Sequence, residues 1–122
     1  YMQLHKSFLD YGMRERLSGF YFYSTFFRQA EMEANKITNA YCIFSPKEPL
    51  CGHPNIQHGG ATATIIDQNA GVLAMIYSYE LVATSELNVR YLKPVKKGQT
   101  YAWHGEVARR DGRKIYIKSN IV

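Results

Sequence analysis

The residues of this chain best suited to chemistry are His58-Gly59-Gly60 and, seven positions on, Asp67. Two successive glycines let the backbone turn tightly and let a ligand approach with no Cβ in the way. They stand just before a Gly- and Pro-poor stretch with helical character. The first amides of a helix lack internal partners and lie at the positive end of its dipole. Such an N–H can bind a carbonyl oxygen that becomes negative as the carbon is attacked. At about 100° per residue, Gly60, Ala63, Thr64, Asp67 and Gly71 fall on one helical face, with the carboxylate about 10 Å along the axis. One carbonyl cannot reach both groups on the same helix. Two antiparallel copies of the helix, the Asp67 of one meeting the Gly60 of the other, would bring them together, and the small residues on that face would permit it. The plainer alternative is a carboxylate paired internally with Thr64, Asn69 or a strand residue, since a buried acid without a partner is costly. His58 alone also reads as an ordinary loop histidine, and His53, His104 and His5 carry less weight. Cys51, His53 and His58 lack a fourth ligand at zinc spacing, so no metal is expected.

The elements that must position these groups follow from pattern. Residues 37–45 read as a strand stopped by Pro46, and residues 46–60 as a loop. Residues 61–78 suit a helix of about five turns, apolar around most of its circumference and so largely buried. Leu81–Leu92, Gln99–Arg109 and Arg113–Val122 have strand character, and Asp111-Gly112 is a hairpin signal. The sum is α+β, one antiparallel sheet against one long helix. Residues 1–36, rich in aromatics, read as an N-terminal segment with helical spacing over Phe8–Arg16 and again over Ser24–Asn35. They are expected to pack on the domain formed by residues 37–122 rather than on a membrane surface.

Bulk properties narrow the class. The chain has 122 residues, 46% of them hydrophobic, which is one domain's worth of core. Its formal charge of +5 is spread along the sequence with no continuous basic stripe. A phosphate-bearing small ligand is therefore expected and nucleic acid is not. Two cysteines, Cys42 and Cys51, are too few for a disulfide framework. No run approaches the roughly 20 apolar residues that cross a bilayer. The expected location is inside the cell, cytoplasmic or mitochondrial, and a start at Tyr1 rather than Met suits a processed or trimmed form.

Leu50-Cys51-Gly52-His53-Pro54, His58-Gly59-Gly60-Ala61, Asp67, residues 83–91 (Ala-Thr-Ser-Glu-Leu-Asn-Val-Arg-Tyr) and Asp111-Gly112-Arg113-Lys114 together resemble the hotdog-fold thioesterases. The likeness is to the 4-hydroxybenzoyl-CoA/phenylacetic-acid group, and within it to the eukaryotic mitochondrial-type acyl-CoA thioesterases, over residues 37–122. It implies a sheet wrapped around one central helix, two protomers sharing a continuous sheet as a dimer or dimer of dimers, and hydrolysis of acyl-CoA with no cofactor beyond the CoA of the substrate. It also implies roles. Asp67 would be general base or nucleophile, the Gly60 amide would polarise the carbonyl, His58 would orient the thioester, and Thr84 would position water near the carboxylate. Gly59 and Asn88 would contact substrate, and Lys93, Arg113 and Lys114 would meet the CoA phosphates. Family members usually continue past the equivalent of Val122 into a further strand of the sheet. Two other readings compete: a non-catalytic acyl-CoA-binding or interaction module on the same fold, and a hotdog dehydratase. The second would need a helix Glu where this chain has Asp67.

Overall fold

The computed structural model describes residues 21–122. Four antiparallel strands, β1 (Tyr21–Phe26), β2 (Asn39–Pro46), β5 (Tyr101–Asp111) and β6 (Lys114–Ile121), form a sheet in the order β1-β2-β5-β6. A small hairpin of β3 (Cys51–His53) and β4 (Ile56–Gln57) precedes the long helix α2 (Gly59–Ser78), and a short helix α1 (Gln29–Glu33) joins β1 to β2. This is the α+β, hotdog-like layout of one sheet against one main helix.

Alternation along the strands decides which face meets the helix. Ala40, Cys42 and Phe44 of β2 are fully buried, as is Trp103 of β5, and they pack with Ile65, Val72 and Leu73 of α2. The intervening Tyr41, Ile43 and His104 lie on the outer face, where Tyr41 and His104 stack 4.6 Å apart. Trp103 depends on Gly105 two residues along: a Cβ there would come within 2.2 Å of the indole. The β5–β6 turn forms where expected, with Gly112 at φ +60°, a conformation that favours glycine.

Three expectations need correction. The helical reading of Ser24–Asn35 gives way to strand as far as Phe26, with helix only over Gln29–Glu33. Thr25 is buried against the helix, its hydroxyl 3.5 Å from Asn69, and Phe27 enters the core, so tertiary packing overrides local spacing. Since β1 pairs with β2 over six residues, residues from 21 onward belong to the same sheet as those after 37. The helical reading of Phe8–Arg16 falls outside the described residues. Second, Leu81–Leu92 is not a strand. It runs without ladder partners among the described residues, with Leu81 80% and Leu92 83% exposed. A strand exists only through a neighbour's hydrogen bonds, and this segment has the side chains but not the neighbour. Third, the loop before α2 is more ordered than expected, holding a 3-10 turn at Glu48–Leu50 as well as the β3–β4 hairpin.

At the corner after β1, Glu31 clamps the chain. Its Oε1 accepts the N–H groups of Thr38 (2.7 Å) and Asn39 (3.0 Å), and its Oε2 accepts Nδ2 of Asn39 (2.9 Å). Burial pushes its pKa up, but these hydrogen bonds and Arg28 outweigh it and hold the carboxyl below its ordinary range.

Candidate active site

Helix α2 starts at Gly59, two residues before the expected 61–78 span, so both glycines lie in its first turn and the cap is His58 itself. Its imidazole Nδ1 accepts the Gly60 N–H at 2.9 Å, and its carbonyl accepts the amides of Ala61 and Thr62. Because Nδ1 is the acceptor, a neutral ring carries its proton on Nε2. Two glycines make room for the ring, since a Cβ at either Gly52 or Gly60 would sit 3.1 Å from it. In the first turn, the Gly59 amide is left without a hydrogen-bond partner among the described residues.

Asp67 lies on the helix face turned away from the sheet. The buried positions Thr62, Ile65, Asn69, Val72 and Leu73 mark the opposite, sheet-facing side. Gly60, Ala63, Thr64 and Gly71 share the Asp67 face, so this half-buried carboxylate looks out across small residues. Its partner comes from the extended segment: Thr84 Oγ1 donates to Asp67 Oδ1 at 2.5 Å. Thr84 and the acid are therefore in contact within one chain. Asp67 Oδ2 takes no hydrogen bond among the described residues, which leaves one carboxylate oxygen open to a water or substrate.

The same segment is fastened a second time. Tyr91 donates its hydroxyl to the Gly59 carbonyl at 2.7 Å, and its ring lies against Gly59. Residues 84–91 thus strap the acid and the glycine turn to one another across the helix. Tyr91 had no role assigned from sequence, and neither did Gly52 or Gln57. Only the spacing of Tyr91 within the Asn-Val-x-Tyr run pointed to it.

The remaining expected contacts are dispersed. Asn88 is exposed and donates to Glu86 at 2.7 Å. Lys93 borders a cleft beside the start of α2, together with His53, Gln57 and Gly59. Arg113 and Lys114 sit exposed at the β5–β6 turn. Arg110 of that hairpin pairs at 3.5 Å with Glu80, just beyond the last residue of α2. The basic hairpin therefore belongs to the far end of a helix about 30 Å long at 1.5 Å per residue. Within one chain these basic residues do not converge with Lys93.

Comparison with known proteins gives a consistent picture. Residues 55–122 match the family model described as the thioesterase superfamily, a span that takes in His58, Asp67 and Thr84. The acyl-coenzyme A thioesterase THEM4 of Rattus norvegicus is 33% identical over 99 residues, covering 81% of this chain and 40% of the relative. The protein of the same name from Xenopus laevis is 32% identical over 99 residues, covering 81% of this chain and 41% of its own length. The chain thus spans about two fifths of the length of these relatives. In fold it is similar to the crystal structure of thioesterase superfamily member 2 from Mus musculus, with a TM-score of 0.73 at 16% identity, over 98% of this chain and 78% of that one. Since the family match covers more than half of the sequence and the sheet and helix agree with it, this chain belongs to the thioesterase superfamily.

Proposed function

We propose that the protein hydrolyses acyl-CoA thioesters to free acid and CoA, with Asp67 as the catalytic carboxylate. The observation that carries this reading is the hydrogen bond from Thr84 to one oxygen of Asp67, the other oxygen having no partner among the described residues. A water held by that second oxygen and by the Thr84 hydroxyl loses a proton to the carboxylate as its oxygen attacks the thioester carbon. Negative charge develops on the carbonyl oxygen, and first-turn amides of α2 receive it. Gly59 offers an N–H without a partner among the described residues, and Gly60 offers the one His58 holds until the thioester oxygen takes its place. The C–S bond then breaks and the thiolate recovers the proton from Asp67. Direct attack by the carboxylate, through an acyl-enzyme anhydride that water opens, uses the same groups.

The reading includes a second copy of the chain. Asp67 lies well down the helix from its own glycine turn, while its face is lined by small residues that admit another helix closely. The extended Leu81–Leu92 segment has unpaired backbone groups and exposed leucines, the features of a strand awaiting a partner. Antiparallel pairing of two protomers places the Asp67 of one toward the Gly59-Gly60 turn of the other. It also carries each basic β5–β6 hairpin, with Arg113 and Lys114, toward the partner's glycine turn. Homologues bearing the name acyl-coenzyme A thioesterase support the substrate class.

The test is thiol release from a panel of acyl-CoA chain lengths. Hydrolysis is expected, and Asp67→Asn is expected to lower turnover at least ~100-fold, the scale of a lost general base. Full activity in Asp67→Asn would overturn its role. Tight acyl-CoA binding without turnover by the unaltered protein would make it a binding module on this fold.

A further inference from the structure

The cleft beside the start of α2 has a volume of about 300 Å³. It opens between the β3–β4 hairpin, the first turn of α2 and residues 91–95, with apolar walls that include Ile56, Leu92 and Pro94. Its most unusual wall residue is Gln57, which is only 5% exposed. Gln57 precedes the cap residue and Thr62 is the fourth residue of the helix, positions where an apolar pair often staples the chain to a helix start. Here the staple is polar: Gln57 Nε2 donates to Thr62 Oγ1 at 2.8 Å. Oε1 of the same carboxamide is buried and has no hydrogen-bond partner among the described residues. A buried amide oxygen that has given up water for nothing is costly and uncommon in a native protein.

We propose that this cleft receives the amide-bearing arm of the thiol, and that Gln57 selects that arm by hydrogen-bonding one of its amides. The proposal rests on the thioesterase reading. A secondary amide supplies the N–H that Oε1 needs. Should the carboxamide rotate by half a turn, Thr62 can donate to its oxygen instead, and Nε2, then standing where Oε1 stood, meets the carbonyl of the same ligand amide. Apolar walls suit the methylene spacers between amides. Lys93, exposed beside the cleft, suits a phosphate at the far end of the arm. Gly59 lines the cleft too, so an arm lying there ends at the first-turn amides that would hold the thioester oxygen. A chain of amides and methylenes ending in phosphate is the phosphopantetheine arm, present both in CoA and on acyl carrier proteins.

The experiment compares two thioesters of one acyl group, the N-acetylcysteamine ester, which has an amide, and the S-butyl ester, which has none. The unaltered protein is expected to favour the amide-bearing ester by about tenfold in kcat/KM, the scale of one neutral hydrogen bond. In Gln57→Met that preference is expected to fall below about twofold. Because the ratio is taken within one protein, a partly unfolded preparation does not distort it. A preference that survives the substitution overturns the proposal. Calorimetric binding of desulfo-CoA to the unaltered protein and to Gln57→Met separates this claim from the catalytic one. If neither thioester is turned over, the thioesterase reading fails, and about fivefold weaker desulfo-CoA binding in Gln57→Met still upholds the cleft. Equal binding, or none to either, sinks it. Comparing acyl-CoA with acyl-carrier protein as substrate then identifies the source of the arm.

Discussion

The face of α2 turned to the sheet and the face turned away are built on opposite principles. On the sheet side, Ile65, Val72 and Leu73 meet Phe44, Cys42 and Trp103 in a core that needs nothing from outside the chain. On the other side, small residues surround Asp67, and the covering segment is held by hydrogen bonds from two side chains, Thr84 and Tyr91. Its leucines stay in solvent and its backbone has no ladder partner among the described residues. The first face is where free energy of folding accumulates, and the second is where valences are left open. Substitutions on the two sides should therefore separate stability from activity.

The largest expected effect lies in the core. Phe44→Ala removes a fully buried ring facing the helix, and should cost about 3–5 kcal/mol, seen as a lowered thermal midpoint. A change below about 1 kcal/mol would mean that the core is loosely packed and that the contrast between faces is overstated.

On the outward face, Thr84→Val keeps the shape and deletes the hydroxyl. Turnover of acyl-CoA should fall roughly tenfold, the lower end for a hydrogen bond to a charged group, because this one is exposed. The thermal midpoint should barely move. If stability falls and turnover does not, Thr84 only fastens the segment, and the acid works without it.

Tyr91→Phe probes the second fastening more gently. The ring that lies against Gly59 remains and only the hydroxyl bond to its carbonyl is lost. Hydrogen exchange at the first-turn amides should accelerate a few-fold, the response to losing about 1 kcal/mol of local support. Unchanged exchange would show that the ring alone holds the turn.

The same division decides what could be read without a structure. Helix α2, strand β2 and the β5–β6 hairpin were legible because period, proline and the Asp111-Gly112 turn all pointed one way. The shared face of Gly60 and Asp67 was legible from helical geometry alone. The strand β1 was not, because aromatic residues around Phe26 and Phe27 fit helix and strand spacing equally, and burial against Asn69 decided between them. Leu81–Leu92 carries strand side chains, yet its state depends on a neighbour that no local pattern specifies. No role for Gln57 or Tyr91 was legible, for another reason: each acts through a single side-chain contact, Gln57 on Thr62 five residues on, where an apolar pair is the usual pattern, and Tyr91 on the distant Gly59.

The smallest expected effect belongs to the sheet side and should be visible only through pH. Glu31 is 17% exposed, and the burial that would raise its pKa is outweighed by hydrogen bonds from Thr38 and Asn39 and by Arg28. Its folded value therefore lies below the ordinary value of 4.5. A carboxyl of this kind binds its proton more readily in the unfolded chain, so it contributes stability above the ordinary value and loses it as pH falls through the folded one. Glu31→Gln removes that titration. The gap in thermal midpoint between the unaltered protein and Glu31→Gln should be widest near neutrality and should narrow progressively below about pH 4.5. Thr84→Val leaves this clamp intact, so its midpoint should follow the unaltered protein through the same acid range. A gap for Glu31→Gln that stays constant from pH 7 to pH 3 would mean that the clamp acts by shape rather than charge, and the corner after β1 would then owe its stability to packing alone.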